Sequence, residues 1–154
     1  MTALWPFALA FAAILAAASY VDLHSLRIPD GLSVALLATG AAYWICRDAS
    51  SLAGQIAFGL VVLLLFWAVR QVHWRLAGRV GLGLGDVKMA GAGAVWIVPA
   101  AFPLFLFAAA ASGLACTLVF LMFNREGFRT FRVPFAPFLA LGLMLAWTME
   151  VTLP

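Results

Sequence analysis

Charge is the scarcest commodity in this chain. Only 10% of its 154 residues are Asp, Glu, Lys or Arg, while 66% are apolar and the mean hydropathy is +1.10. That balance excludes an ordinary soluble domain, where apolar usage is nearer half, and indicates an integral membrane protein. Cysteine is almost as rare. Cys46 and Cys116 lie in or at the edge of apolar segments and form no C-x-x-C pair, so they read as packing residues, and neither a zinc site nor a disulfide framework is indicated. The two histidines, His24 and His73, show no metal-ligand or nucleophile-elbow spacing. There is no G-x-x-x-x-G-K-[ST] and no G-x-G-x-x-G after a strand, which removes the usual nucleotide-binding signatures. No metal or cofactor is called for. A basic n-region is also missing, so residues 1–21 read as a retained first span rather than a signal peptide, despite the small-residue run Ala16-Ala17-Ala18.

What remains is apolar sequence, punctuated. Apolar runs fall at 3–21, 32–46, 52–69, 87–99, 101–123 and 134–152. They predict an all-α polytopic membrane protein of about six transmembrane helices, with residues 1–154 as a single domain. The intervening loops are 22–31, 47–51, 70–86, the Pro99–Pro103 turn and 124–133. Arg27, Arg70, Arg75, Arg79, Lys88, Arg125, Arg129 and Arg132 fall in or beside loops one, three and five, and only Arg47 lies opposite. By the positive-inside rule those loops face the cytoplasm and both termini lie outside it. The net charge of +3 is thus a topological signal, with lipid as the partner and no nucleic acid implied. The fourth span is too short: Val87 to Pro99 is 13 residues, about 20 Å of helix against a hydrocarbon core of about 30 Å.

Asp86 stands where Gly81-Leu82-Gly83-Leu84-Gly85 enters that short segment. An acid near the bilayer interior costs about 2.5–3.5 kcal/mol and therefore marks a functional hypothesis in need of a partner. Six acids are present: Asp22, Asp30, Asp48, Asp86, Glu126 and Glu150. Asp48 and Glu150 fall on the outer side. Of those on the inner side, Asp22 closes the first span at matching depth. Two carboxylates held close cannot both ionise easily, so the pair shares a proton, which is the equipment of an aspartic protease. Gly83 and Gly85, lacking Cβ, permit close approach of another helix or an extended substrate to the acid. Taken alone, the glycine run could equally be a flexible loop with Asp86 as a helix N-cap.

Three segments together resemble the type IV prepilin peptidases, membrane aspartic proteases of the G-x-G-D type. They are Asp22-Leu23-His24-Ser25-Leu26-Arg27-Ile28-Pro29-Asp30, Gly83-Leu84-Gly85-Asp86-Val87-Lys88, and Pro134-Phe135-Ala136-Pro137-Phe138-Leu139-Ala140. The resemblance implies that Asp22 and Asp86 are the catalytic pair and that Gly83 and Gly85 are the glycines of the second motif. It also implies cleavage of the short basic leader of a prepilin or pseudopilin at the cytoplasmic face of the bacterial inner membrane. Larger members carry a cysteine-rich cytoplasmic segment and methylate the new N-terminus. This chain has no such cysteine pairs and looks like the short, peptidase-only form of tight-adherence pilus systems, with no methylation expected. Asp30 stands where short members often have Asn, and Ala136 where Gly is common. Lys88 points to a different helical face from Asp86 and suits lipid phosphate or substrate, whereas Asp30 suits turn chemistry before the second helix. Pro134 and Pro137 fit the first turn of a span and stand as site-shaping residues. A small proton-coupled transporter or channel using intramembrane acids is the alternative, although the acids cluster at one face and no inverted repeat is evident.

Overall fold

A computed structural model describes residues 5–78, 81–123 and 134–152. These residues form six α-helices: α1 (Trp5–Ser25), α2 (Asp30–Asp48), α3 (Leu52–Ala77), α4 (Leu84–Ala94), α5 (Phe102–Phe123) and α6 (Ala136–Thr152). There is no strand among them. Arg79, Arg125, Glu126, Arg129 and Arg132 lie outside the described residues, and with them the fifth-loop part of the charge argument.

The helices are apolar all round, and that follows from where they sit. A bundle in lipid buries one apolar face against its neighbours and turns another outward. Leu60, Val61, Leu64, Phe107, Leu114 and Leu118 are more than half exposed on α3 and α5, while Phe11, Tyr43, Trp96, Phe105 and Leu143 are fully buried. Three helical stretches are long and apolar enough to cross a membrane: Trp5–Ser25, Asp30–Ala77 and Pro99–Phe123. The second of these is a hairpin. At Asp48 the backbone becomes extended, and the Asp48 carboxylate accepts from the Ser50 N–H (3.1 Å) and from the Ser50 and Ser51 hydroxyls (2.6 and 2.5 Å), reversing the chain between α2 and α3.

The element boundaries shift toward one end of the bundle. The sequence predicts a first helix closing at residue 21, but α1 runs on to Ser25, because Leu23 and the self-bonded hydroxyl of Ser25, which donates to the Val21 carbonyl at 2.8 Å, continue the turn. Loop one therefore shrinks to 26–29. Its first residue, Leu26, has φ 52° and donates its N–H to the Asp22 carbonyl at 2.9 Å, closing the helix in the left-handed manner usually given to glycine. Likewise α3 continues to Ala77, through half of the expected third loop, and ends at Gly78 with φ 64°.

Helix α4 is shorter than expected and starts earlier, at 84–94 rather than 87–99. Eleven residues make about 16 Å of helix, so α4 is too short to be the expected fourth span across a hydrocarbon core of about 30 Å. Its end is set by the side chains around it. The Trp44 indole donates to the Val95 carbonyl at 2.7 Å, and the Glu150 carboxylate accepts from the Val98 N–H at 2.9 Å. Pro99 then opens the turn that leads into α5. Trp96 fills the space beneath, stacked on Phe11 at 4.4 Å and donating its indole N–H to the Leu36 carbonyl at 2.8 Å. Glu150 is held from the other side by Arg47 at 2.8 Å. Polar and aromatic groups thus clamp one end of the bundle, and the ends carrying Asp22 and Asp86 lie at the other.

Candidate active site

Asp22 is set in the last turn of α1 and is only 5% exposed. Burying an unpaired carboxylate is costly, and here the cost is met by the start of α6. The Ala136 N–H donates to Asp22 Oδ2 at 3.0 Å, so a carboxylate from α1 caps a helix 114 residues downstream. The first N–H groups of a helix have no internal partner and carry the positive end of its dipole, which makes this a favourable seat for an anion. Phe135 precedes the helix and Pro137 occupies its second position, where a missing N–H does no harm. The prolines therefore act as expected for a helix start, but the group that meets the acid is the backbone N–H of Ala136 between them. Sequence reasoning missed that N–H. No sequence signal marks it, because Phe135, Ala136, Phe138 and Leu139 all carry such a donor.

Asp86 lies in the first turn of α4, as the third residue after Gly83 rather than as the N-cap itself. Its Oδ2 accepts from the Gly83 N–H at 3.2 Å, and the Val87 N–H donates to the Gly83 carbonyl at 3.3 Å. The motif's two glycines have separate reasons. A Cβ on Gly83 would stand 2.8 Å from Asp86 Oδ2, in the space its own cap occupies. A Cβ on Gly85 would stand 2.9 Å from the Ile28 Cβ and 3.3 Å from the Ile28 N, so Gly85 lets the 26–29 loop lie directly on α4. That contact draws the end of α1 and the start of α4 together. The Arg70 Nε–H donates to the Leu82 carbonyl at 3.1 Å and pins the segment before Gly83 to α3.

The two carboxylates are within electrostatic reach of each other. Asp86 belongs to none of the membrane-crossing stretches and is half-buried. Burial, reinforced by the neighbouring Asp22 carboxylate and opposed by the Gly83 N–H, pushes its carboxyl up to about 6.

Lys88 does not face either acid. Its Nζ meets Asp30 Oδ1 at 2.7 Å in an exposed ion pair joining α4 to α2, a partner that the sequence reading did not give it. The Asp30 and Lys88 positions are thus linked to each other and not to the pair. No group of three or more His, Cys, Asp or Glu side chains suited to a metal ion occurs among the described residues.

A helical membrane bundle with two coupled acids at one end defines a class: membrane proteins built around a carboxylate pair. The comparisons narrow it further. A family model described as the type IV leader peptidase family matches residues 9–118, and the chain belongs to that family. The matched stretch contains both Asp22 and Asp86. Among curated relatives, the "Prepilin leader peptidase/N-methyltransferase" of Pectobacterium carotovorum subsp. carotovorum is 32% identical over 96% of this chain and 52% of its own. The protein of that name from Burkholderia pseudomallei (strain 1026b) is 32% identical over 84% of this chain and 42% of its own. The one from Escherichia coli (strain K12) is 30% identical over 84% and 59%. The chain spans about half the length of the curated relatives it matches. No solved structure matches it. The transporter reading draws no support from any of these relatives.

Proposed function

We propose that this chain is a membrane aspartyl endopeptidase, with residues 1–154 as a single peptidase domain, that removes the leader of type IV prepilins or pseudopilins. The observation that carries the reading is the coupling of Asp86 to Asp22 in a chain of the leader peptidase family. In this account the form of the pair that reacts carries one proton, and Asp86 is the carboxyl that holds it. Asp22, oriented by the Ala136 N–H, takes a proton from a water as the water oxygen attacks the scissile carbonyl carbon. Asp86 gives its proton to the carbonyl oxygen as that oxygen gains charge. Collapse of the tetrahedral intermediate breaks the C–N bond: the proton on Asp22 passes to the leaving amine, and one hydroxyl of the gem-diol returns its proton to Asp86 as the new carboxyl forms. The products are a free leader carboxyl and a new N-terminus, and the pair returns to its singly protonated state.

The dyad faces the cytoplasm of a bacterial inner membrane, with both termini on the far side. Support for this orientation comes from Arg27, Arg70, Arg75 and Lys88, all at the dyad end, against Arg47 at the clamped end. The product is left unmethylated: support for this is that Cys46 and Cys116 form no pair of the kind that marks the methylating members of the family. Co-expression with a type IV prepilin in a host lacking its own peptidase tests this, with the pilin N-terminus read by mass spectrometry. The expected product is a pilin without its leader and with a free, unmethylated amine. An intact precursor contradicts the peptidase reading, and a methylated N-terminus contradicts the peptidase-only part of it.

A further inference from the structure

Helices α2 and α3 part along their length, and the space between them is a cleft of about 400 Å³ with α4 as its floor. It is apolar and opens sideways: Val34 is 63% exposed on one lip and Leu60 is 56% exposed on the other. The opening lies on the flank of the bundle, between the exposed apolar side chains of α2 and α3. Gly59 and Gly91 bring α3 and α4 into contact, closing the floor. A Cβ on Gly91 would stand 2.6 Å from the Leu63 Cβ. Neither Asp22 nor Asp86 lines this cleft, but Lys88 does, at its upper end and two residues beyond Asp86 on the same helix.

One group in the cleft is out of place. Ser33 is 7% exposed, and its Oγ has no hydrogen-bond partner among the described residues, although a serine on a helix can donate to the carbonyl four residues back. Ser19, Ser25, Thr39, Ser112, Thr117, Thr148 and Thr152 all do so. A buried hydroxyl left unpaired in an apolar wall is costly and asks for a partner from outside.

We propose that this cleft seats an apolar helix of a membrane-embedded substrate, entering sideways from the bilayer and offering a polar group to the Ser33 hydroxyl. The occupant's identity as the apolar segment following the leader rests on the peptidase reading above. A lipid acyl chain has a similar shape, but its methylenes carry nothing to satisfy Ser33, and only its glycerol ester could, an occupant that the cross-link below separates from a helix. Its headgroup phosphate would also compete for Lys88 with a carboxylate already at 2.7 Å. A helix supplies both features, because its surface is apolar and its hydroxyls or under-satisfied carbonyls can hydrogen-bond across a membrane interface. Seated on the Lys88 face of α4, it ends within two residues of Asp86 along the helix, and the chain beyond it passes round the start of α4 to reach the acids.

The test uses the full chain reconstituted in phosphatidylethanolamine–phosphatidylglycerol vesicles with a type IV prepilin. A second substrate bears the leader and cut site but lacks the apolar segment. Ser33→Ala removes only the unpaired hydroxyl and is expected to raise KM for the full prepilin about threefold to tenfold, with kcat and the short substrate unaffected. Leu60→Trp, which narrows the opening, is expected to raise KM further. A benzoylphenylalanine at position 60 in the Asp86→Asn background is expected to cross-link to the prepilin's apolar segment. Unchanged KM in both variants, with parental cleavage intact, overturns the cleft and leaves the peptidase reading standing. If the parental chain cleaves no prepilin, the peptidase reading fails, and the cross-link alone decides: an adduct with the apolar segment supports the cleft, and adducts only with phospholipid overturn it.

Discussion

At the scale of single residues, the two acids are held differently. Asp22 is buried and takes a helix N-terminal N–H, whereas Asp86 is half-buried and takes the N–H of its own cap. Because Asp86 titrates about 6, above its ordinary 3.8, folding favours its protonated form. The stability associated with this group is therefore full on the acid side and declines as pH rises from about 4 through about 6. Carbon-13 NMR of labelled aspartate should give Asp86 a midpoint near 6, moving down in Asp22→Asn as the repelling charge is removed, though not to the ordinary value, because burial remains. An unmoved midpoint would show that the carboxylates do not sense each other.

At the scale of elements, the site depends on three short junctions: the end of α1, the start of α4 and the start of α6. The sequence made Asp22 and Asp86 legible as a pair, because both are acids at the ends of apolar runs on the basic side of the chain. It placed the six helices in order, but their ends only loosely. Whether a helix stops at residue 21 or 25 depends on a left-handed Leu26 and on tertiary contacts that no local pattern encodes. The Ala136 N–H was illegible for a similar reason: every residue has such a group, and only packing shows which one is free to meet an acid. Gly85 illustrates the middle case. Its lack of a side chain was read as close approach, and the structure names the approaching group as Ile28. Gly85→Ala forces that loop outward, and a displacement of about 1 Å near reacting groups can cost on the order of 100-fold in rate. Leader cleavage by Gly85→Ala should fall by about that factor while the helical circular dichroism stays unchanged. Parental activity would mean that the Ile28 contact does not set the geometry.

Across the whole molecule, the bundle has a clamped end and a chemical end. Arg47, Glu150, Trp44 and Trp96 fasten α2, α6 and the break after α4 to one another, far from the acids. Arg47→Ala leaves the Glu150 carboxylate without its cation and should lower stability in detergent by on the order of 1 kcal/mol, seen as an earlier unfolding transition in tryptophan fluorescence. Cleavage below that transition should keep its kcat, since no clamp residue reaches the acids. A collapse of kcat at full fold would mean that the two ends are coupled. The central claim, that Asp22 and Asp86 act as one catalytic unit, is tested most directly by the rate of leader removal in Asp22→Ala, Asp86→Ala and the double variant. Groups that act as a unit are not additive, so each single substitution should abolish processing of a co-expressed prepilin as completely as the double one. Processing at the parental rate by either single variant would contradict the claim.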